Sequence, residues 1–191
     1  MSVVDRRTAL LDAAVAEIAR SGTRGLRVES VAKAAGVSTA LIYHHFADRS
    51  TLLRNALEHI AARADSYTQP PEGTGREMVV EMLLGEIHDE PEVRINSVGW
   101  GELRGEAIFD ISLRPLIAST TQRWADDVAT FVRNGQADGS IRSDCNADDL
   151  GVQLTAMVEG ISARWLTAQL TTAHARAHLR AVIDALLGPR P

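Results

Sequence analysis

The feature that most constrains this chain is a helical period that runs through almost every segment. Apolar residues recur at three- and four-residue steps, and no stretch alternates apolar and polar residues between hairpin turns. An all-α fold is therefore expected. Ala9, Leu10, Ala13, Ala14 and Ile18 mark a first helix over about residues 5–20, stopped at Ser21-Gly22. Val28, Val31, Ala32 and Ala35 form a short second helix ending at Gly36, and Ser38 is the natural N-cap of a third that runs through Phe46. Asp48 caps a fourth, to about residue 66, with Leu52, Leu53, Ala56, Leu57, Ile60 and Ala64 facing inward. Pro70-Pro71-Glu72-Gly73 then breaks the chain. Longer helices follow at about 74–88, 91–104, 108–136, 147–168 and 171–187, with the loop Asn134–Gly139 ending the longest of them. This divides the chain into a small head over 1–49, a connecting helix over about 48–66, and a helical-bundle body over 67–191.

Composition bears on what such a chain can touch. With 191 residues and 45% apolar content it can bury a real core, and the single Cys145 excludes an intramolecular disulfide. No targeting leader opens the chain and no apolar run approaches the ~20 residues needed to span a bilayer, so a cytoplasmic protein is expected. The formal net charge of −5 argues against a nucleic-acid partner until it is split by position. Residues 1–49 carry seven Lys/Arg against five Asp/Glu, which leaves the remainder strongly acidic. A mildly basic head sits on an acidic body.

The most specific pattern lies between Val28 and Leu52. Two helices crossing through a short turn need a small residue at the crossing, a residue tolerant of positive φ in the turn, and apolar wedges on both sides. Ala32, Gly36, Val31, Val37 and Ile42 supply these, the arrangement of a helix-turn-helix. The run Gly36-Val37-Ser38-Thr39-Ala40-Leu41-Ile42-Tyr43-His44-His45-Phe46-Ala47-Asp48-Arg49 closely resembles the recognition-helix signature of the TetR/AcrR family of bacterial regulators. The resemblance covers about Val4 to Leu57; the body is more weakly similar to the BetI-type subgroup. It implies an N-terminal three-helix helix-turn-helix domain, a C-terminal bundle for ligand binding and dimerisation, and a repressor released from a palindromic DNA operator by a small molecule.

The same resemblance implies roles for individual residues. Thr39, Ala40 and His44 would face base edges in the major groove, where methyl groups suit thymine and an imidazole donates or accepts a hydrogen bond. Ser38, Tyr43, His45 and Arg49 would reach phosphates. Arg27 departs from the Ser or Thr usual in the family at the start of the second helix; it has no oxygen to cap with but can clamp a phosphate. A ligand cavity would draw on His88, Trp100, Leu103, Phe109, Trp124, Met157 and Trp165, large flat apolar walls with a few polar handles. Leu154, Val158 and Ile161 on one helix and Leu179, Val182, Ile183 and Leu186 on the next form stripes that would pair across a two-fold axis. The same stripes would also serve to close a monomer core.

Other motifs fail. Gly99 to Gly105 has glycines spaced almost as in a dinucleotide-binding loop, but no strand precedes it, so it reads as a helix. His174 and His178 stand one turn apart without a third ligand, and no metal or cofactor is called for. No nucleophile-base pairing has recognisable spacing, so an enzyme is not expected. A helical protein-interaction module or an enzyme without DNA affinity remains the alternative from sequence.

Overall fold

A computed structural model describes residues 3–70 and 72–188, with side chains from residue 6 onward. Among the described residues the chain forms α1 (Val3–Gly25), α2 (Val28–Ala34), α3 (Thr39–Phe46), α4 (Arg49–Tyr67), α5 (Gly75–Gly85), α6 (Pro91–Glu106), a 3-10 turn (Ile111–Leu113), α7 (Arg114–Asp138), α8 (Ala147–Leu166) and α9 (Thr172–Leu187), with no strand. No helix among them is long and apolar enough to cross a membrane.

Three expectations shift. The stop expected at Ser21-Gly22 is a kink: Gly22 leaves helical geometry (φ 72°, ψ 167°), and the helix resumes to Gly25. The helix expected from about 108 starts at Arg114. Asp110 accepts hydrogen bonds from the Ser112 amide and hydroxyl, and Arg114 donates to the carbonyls of Ala107 and Ile108, so side chains satisfy this turn in place of helical bonds. Asn134-Gly135 is not a loop. Gly135 lies inside α7, and the break comes at Gly139, whose φ is 80°. Of the expected chain break at Pro70–Gly73, Pro71 lies outside the described residues, and α5 begins just after it with a reciprocal cap: the Thr74 hydroxyl accepts the Glu77 amide while the Glu77 carboxylate accepts the Thr74 amide. Gly99, Gly101 and Gly105 sit in an unbroken α6.

The chain separates into two compact units, each with its own core. The first unit comprises the chain to residue 63 together with 95–117. Its core joins Leu10, Ala14, Ile18, Val31, Ile42, Phe46, Leu53 and Leu57 to Leu103 and Leu113. Most of α6, which sequence reasoning assigned to the body, thus packs with the head, and the Asn96 amide donates to the Ile60 carbonyl from within the interior.

The second unit comprises 64–94 and 118–191. In its core α5, α8 and α9 meet through Val79, Leu83, Ile87, Leu150, Leu154, Val158, Trp165, Leu179 and Ile183, with Val128 and Val132 of α7. Leu154, Val158, Ile161, Leu179 and Ile183 are therefore fully or nearly fully buried inside one chain. These five pack in the core of the protomer itself, and Val182 and Leu186 are half-buried against the same core.

Candidate nucleic-acid interface

The site is built by the short helix pair α2 and α3. Val28, Val31 and Ala32 are buried on α2, and the chain turns at Gly36 (φ 66°), where the Val37 amide donates to the Ala32 carbonyl at 2.9 Å. Ser38 is the N-cap of α3 as expected: its Oγ accepts from the Leu41 amide at 3.3 Å. Ile42 and Phe46, each 1% exposed, anchor one face of α3 in the first core. The opposite face carries Ala40, Tyr43 and His44, all exposed, with Thr39 and His45 half-buried at its edges. Tyr43 stands 50% exposed, so it is not packed on Phe46. Arg27, at the N-cap position of α2, is exposed and makes no side-chain cap bond.

The far end of α3 is held from two directions. The Arg7 guanidinium lies 5.4 Å over the Phe46 ring and donates to the Asn55 carbonyl oxygen. Asp48 caps α4 by accepting the Thr51 amide at 2.7 Å, and that bond holds its carboxyl below the ordinary value. Arg49, expected to reach a phosphate, is exposed and also bonds within the fold. Its Nη2 donates to the Thr23 carbonyl at 2.5 Å. Thr23 is 3% exposed, its amide donates to Glu102 Oε2 at 3.0 Å and its hydroxyl to Glu106 Oε2 at 3.0 Å. Sequence reasoning missed Thr23, Glu102, Glu106, Arg7 and Asn55, because bonds spanning up to 83 residues leave no periodic signal.

Two segments of the chain match known family models. Residues 10–56 match the model for bacterial regulatory proteins of the tetR family, and residues 75–188 match the C-terminal domain of BetI-type transcriptional repressors. The chain belongs to the TetR family. It is a DNA-binding transcriptional regulator. Its relatives include the transcriptional repressor KstR2 of Rhodococcus jostii, 24% identical over 96% of this chain and 92% of that one, and the transcriptional regulator BetI of Rhizobium meliloti, 26% identical over 92% and 90%. Among solved structures, a TetR-family regulator from Rhodococcus sp. is 42% identical over 97% of this chain and 100% of that one, with a TM-score of 0.90. A transcriptional regulator from Saccharomonospora viridis, crystallised with choline, is 25% identical over 99% and 100%, with a TM-score of 0.84.

The residues expected to line an effector cavity are divided between the two units. In the first unit Leu103 is core, Trp100 is half-buried against that core, and Phe109 is 73% exposed beneath the Arg24 guanidinium, 5.5 Å away. In the second, Met157 is 40% exposed, while the exposed His88 accepts the Glu90 amide through Nδ1. Trp165 is buried under the Arg94 guanidinium at 5.0 Å; its Nε1 donates to the Thr172 hydroxyl, which in turn donates to Asp89. These groups floor an open cavity of about 470 Å³ at the α8–α9 turn. Trp124 packs on the second core with its Nε1 buried and without an acceptor among the described residues.

One cluster in the TetR-family body escaped the sequence reading altogether. Glu86 closes α5, Asp65 lies in the last turns of α4, and Asp127 is one turn beyond Trp124 on α7. Burial pushes the Glu86 carboxyl up to about 7, with Asp65 adding to the rise, and burial with Asp65 raises Asp127 in the same direction. Acidic residues on three helices, spaced 21 and 41 positions apart, have no spacing to betray them.

Proposed function

We propose that this regulator works as a homodimeric repressor that reads a near-palindromic operator with α3 and lets go when a small organic cation binds in its second unit. The observation that carries the reading is the polarity of α3, with Ile42 and Phe46 sealed in the core and Thr39, Ala40, Tyr43 and His44 turned outward. Thr39, Ala40 and His44 would read base edges, while Ser38, Tyr43, His45 and Arg27 would hold phosphates. Replacing His44 by alanine is then expected to change the preferred base at one operator position, at a cost of about 1–3 kcal/mol on the wild-type site. Arg27→Ala is expected to weaken binding to all sequences and reduce the log-log salt slope by about 0.9. Competition assays with single-base operator variants check both, and an equal loss on every variant for His44→Ala would remove it from base reading.

A single recognition helix spans too few base pairs for useful selectivity, which requires two heads on half-sites ~34–36 Å apart. The faces available for pairing are the small-residue surfaces of α8 and α9: Ala156 and Gly160 on one, Ala173, Ala177 and Ala181 on the other, all exposed. Their short side chains would let helices from two protomers approach closely. Ala177→Glu is expected to yield monomers in light scattering and to lose operator binding, since it leaves the protomer core untouched. A dimer of normal mass would move the interface elsewhere.

The effector class follows from Asp65, Glu86 and Asp127, where burial and the Asp65 charge together raise the proton affinity of the Glu86 and Asp127 carboxyls. A cation beside them relieves that repulsion, with the Trp124 indole as an aromatic neighbour one turn away. The Saccharomonospora viridis relative binding choline supports the same class. A cation favours ionised Glu86, so choline affinity should rise about tenfold from pH 6 to pH 8. Calorimetry on the parent and on Glu86→Gln measures this; no choline binding at either pH would exclude the cation while leaving DNA binding intact. Helices α4 and α6 each belong to both units, and a hundredfold loss of DNA affinity needs only about 2.7 kcal/mol of coupling through them.

A further inference from the structure

Resting on the DNA-binding reading of α3, we propose that Arg49 is a positioning residue rather than a phosphate ligand, and that with Glu102 and Glu106 it fixes the turn from which the helix-turn-helix starts. The turn in question is centred on Thr23. Every polar group of this buried residue is engaged: its amide by Glu102, its hydroxyl by Glu106, and its carbonyl by Arg49 and by the Leu26 amide. Four residues later Arg27 occupies the N-cap of α2, and Leu26 between them is 6% exposed in the first core. Thr23 is thus held on every side just before α2 begins.

Arg49 approaches from the other end of the same element. It is the first residue of α4, three positions after Phe46 closes α3. Helix α2, the turn and α3 all lie between Thr23 and Arg49, so their hydrogen bond closes a bracket around the reading unit. Gly22 completes the arrangement. Its φ of 72° suits glycine, and a Cβ there would stand 2.8 Å from Glu102 Oε2.

The electrostatics agree. The charged group shown to act with Arg49 is Asp110, whose carboxyl is lowered first by its bonds to Ser112 and further by Arg49 and Arg54, while Glu102 and Glu106 of α6 hold the Thr23 amide and hydroxyl. A guanidinium that binds a protein carbonyl and acts on Asp110 already has an anionic neighbour within the fold. One of its donors is committed to Thr23, which ties the start of α4 to the turn before α2.

The test separates position from charge. A duplex recovered by wild-type protein from a random-sequence pool serves as the probe, and its dissociation constant is measured against salt concentration for the full-length chain. Arg49→Ala and Thr23→Val are each expected to weaken binding at least tenfold, with the log-log salt slope unchanged and binding to random duplex nearly unaffected. Thr23→Ser, which keeps the hydroxyl, should restore affinity. A fall of about 0.9 in the slope for Arg49→Ala would make it a phosphate ligand and overturn the proposal. Wild-type affinity in either Arg49→Ala or Thr23→Val would overturn it as well. Thr23→Val keeps the carbonyl that Arg49 binds and tests only the Glu106 arm of the turn. Arg49→Gln, which keeps an N–H donor without the charge, answers for Arg49 if Arg49→Ala fails to fold. Near-parental affinity in it supports position, and a tenfold loss with a slope lower by about 0.9 overturns it. Recovery of no duplex by the wild-type protein would instead defeat the DNA-binding reading on which this one rests.

Discussion

Replacing Gly75 by valine is expected to destabilise the second unit by about 4 kcal/mol or more and lower its melting midpoint by roughly 10 °C. Helix α5 crosses α7 with no side chain between them at this point. A Cβ on Gly75 would stand 2.0 Å from the Gly135 nitrogen and 2.5 Å from the Phe131 carbonyl oxygen. Both are backbone atoms, so no rotamer change relieves the collision and one helix has to move. Such movement drags Val79 and Leu83 of α5 away from Val128 and Val132. Calorimetric unfolding measures the effect. A melting curve unchanged from the parent would show that α5 and α7 do not pack at these glycines.

Glu86→Gln is expected to act in the opposite direction, and only in part of the pH range. Burial raises the folded-state carboxyl from 4.5 to about 7, so between those values the folded chain holds a proton that the unfolded chain has released. Stability therefore falls as pH rises through this window. Below pH 4.5 both states are protonated and nothing is lost, whereas above 7 the whole penalty is present, of order 3 kcal/mol. A glutamine cannot ionise and is expected to remove most of that penalty at pH 8 while leaving stability near pH 4.5 almost unchanged. Urea titrations at the two pH values provide the comparison. An equal change at both would mean that Glu86 matters for its shape and hydrogen bonds rather than its charge.

What could be read in advance, and what could not, follows from how far each interaction reaches along the chain. Helix α3 was legible to the residue: Ser38 as cap, Gly36 at positive φ and the inward Ile42 and Phe46 all depend on neighbours within a few positions. The ends of α1 and α7 were harder, since Ser21-Gly22 and Asn134-Gly135 carry the usual stop residues but Gly135 serves a contact with Gly75, 60 positions away. The stripes on α8 and α9 were correctly seen as apolar, yet apolarity does not say whose core a residue enters, and Leu154 and Ile183 enter their own. The aromatic residues named for the cavity divide between the two units in a way their size does not announce. Size and flatness mark Trp100, Phe109 and Trp124 as useful walls, but Trp100 packs on the first core, Trp124 on the second, and Phe109 of the first unit is largely exposed. Polar groups that act at a distance, such as Thr23 with Glu102 or Glu86 with Asp65, had no local signature at all.

Because residues 95–117 complete the core around α1 to α4, the DNA-reading module is not a cassette that can be cut out at one point. A fragment ending at Tyr67 would lack Leu103, Ala107 and Leu113 from its interior and the two carboxylates that hold Thr23. Chimeras meant to give this regulator a new operator would have to exchange two stretches of sequence together, the head and the matching part of α6. On the ribosome the same interleaving imposes a wait: at roughly 5–20 residues per second, the finished α4 stands several seconds before Leu113 is made. During that interval Leu53, Leu57 and Ile60 are without their final neighbours, which makes the half-made head a client for chaperones that bind exposed aliphatic surface.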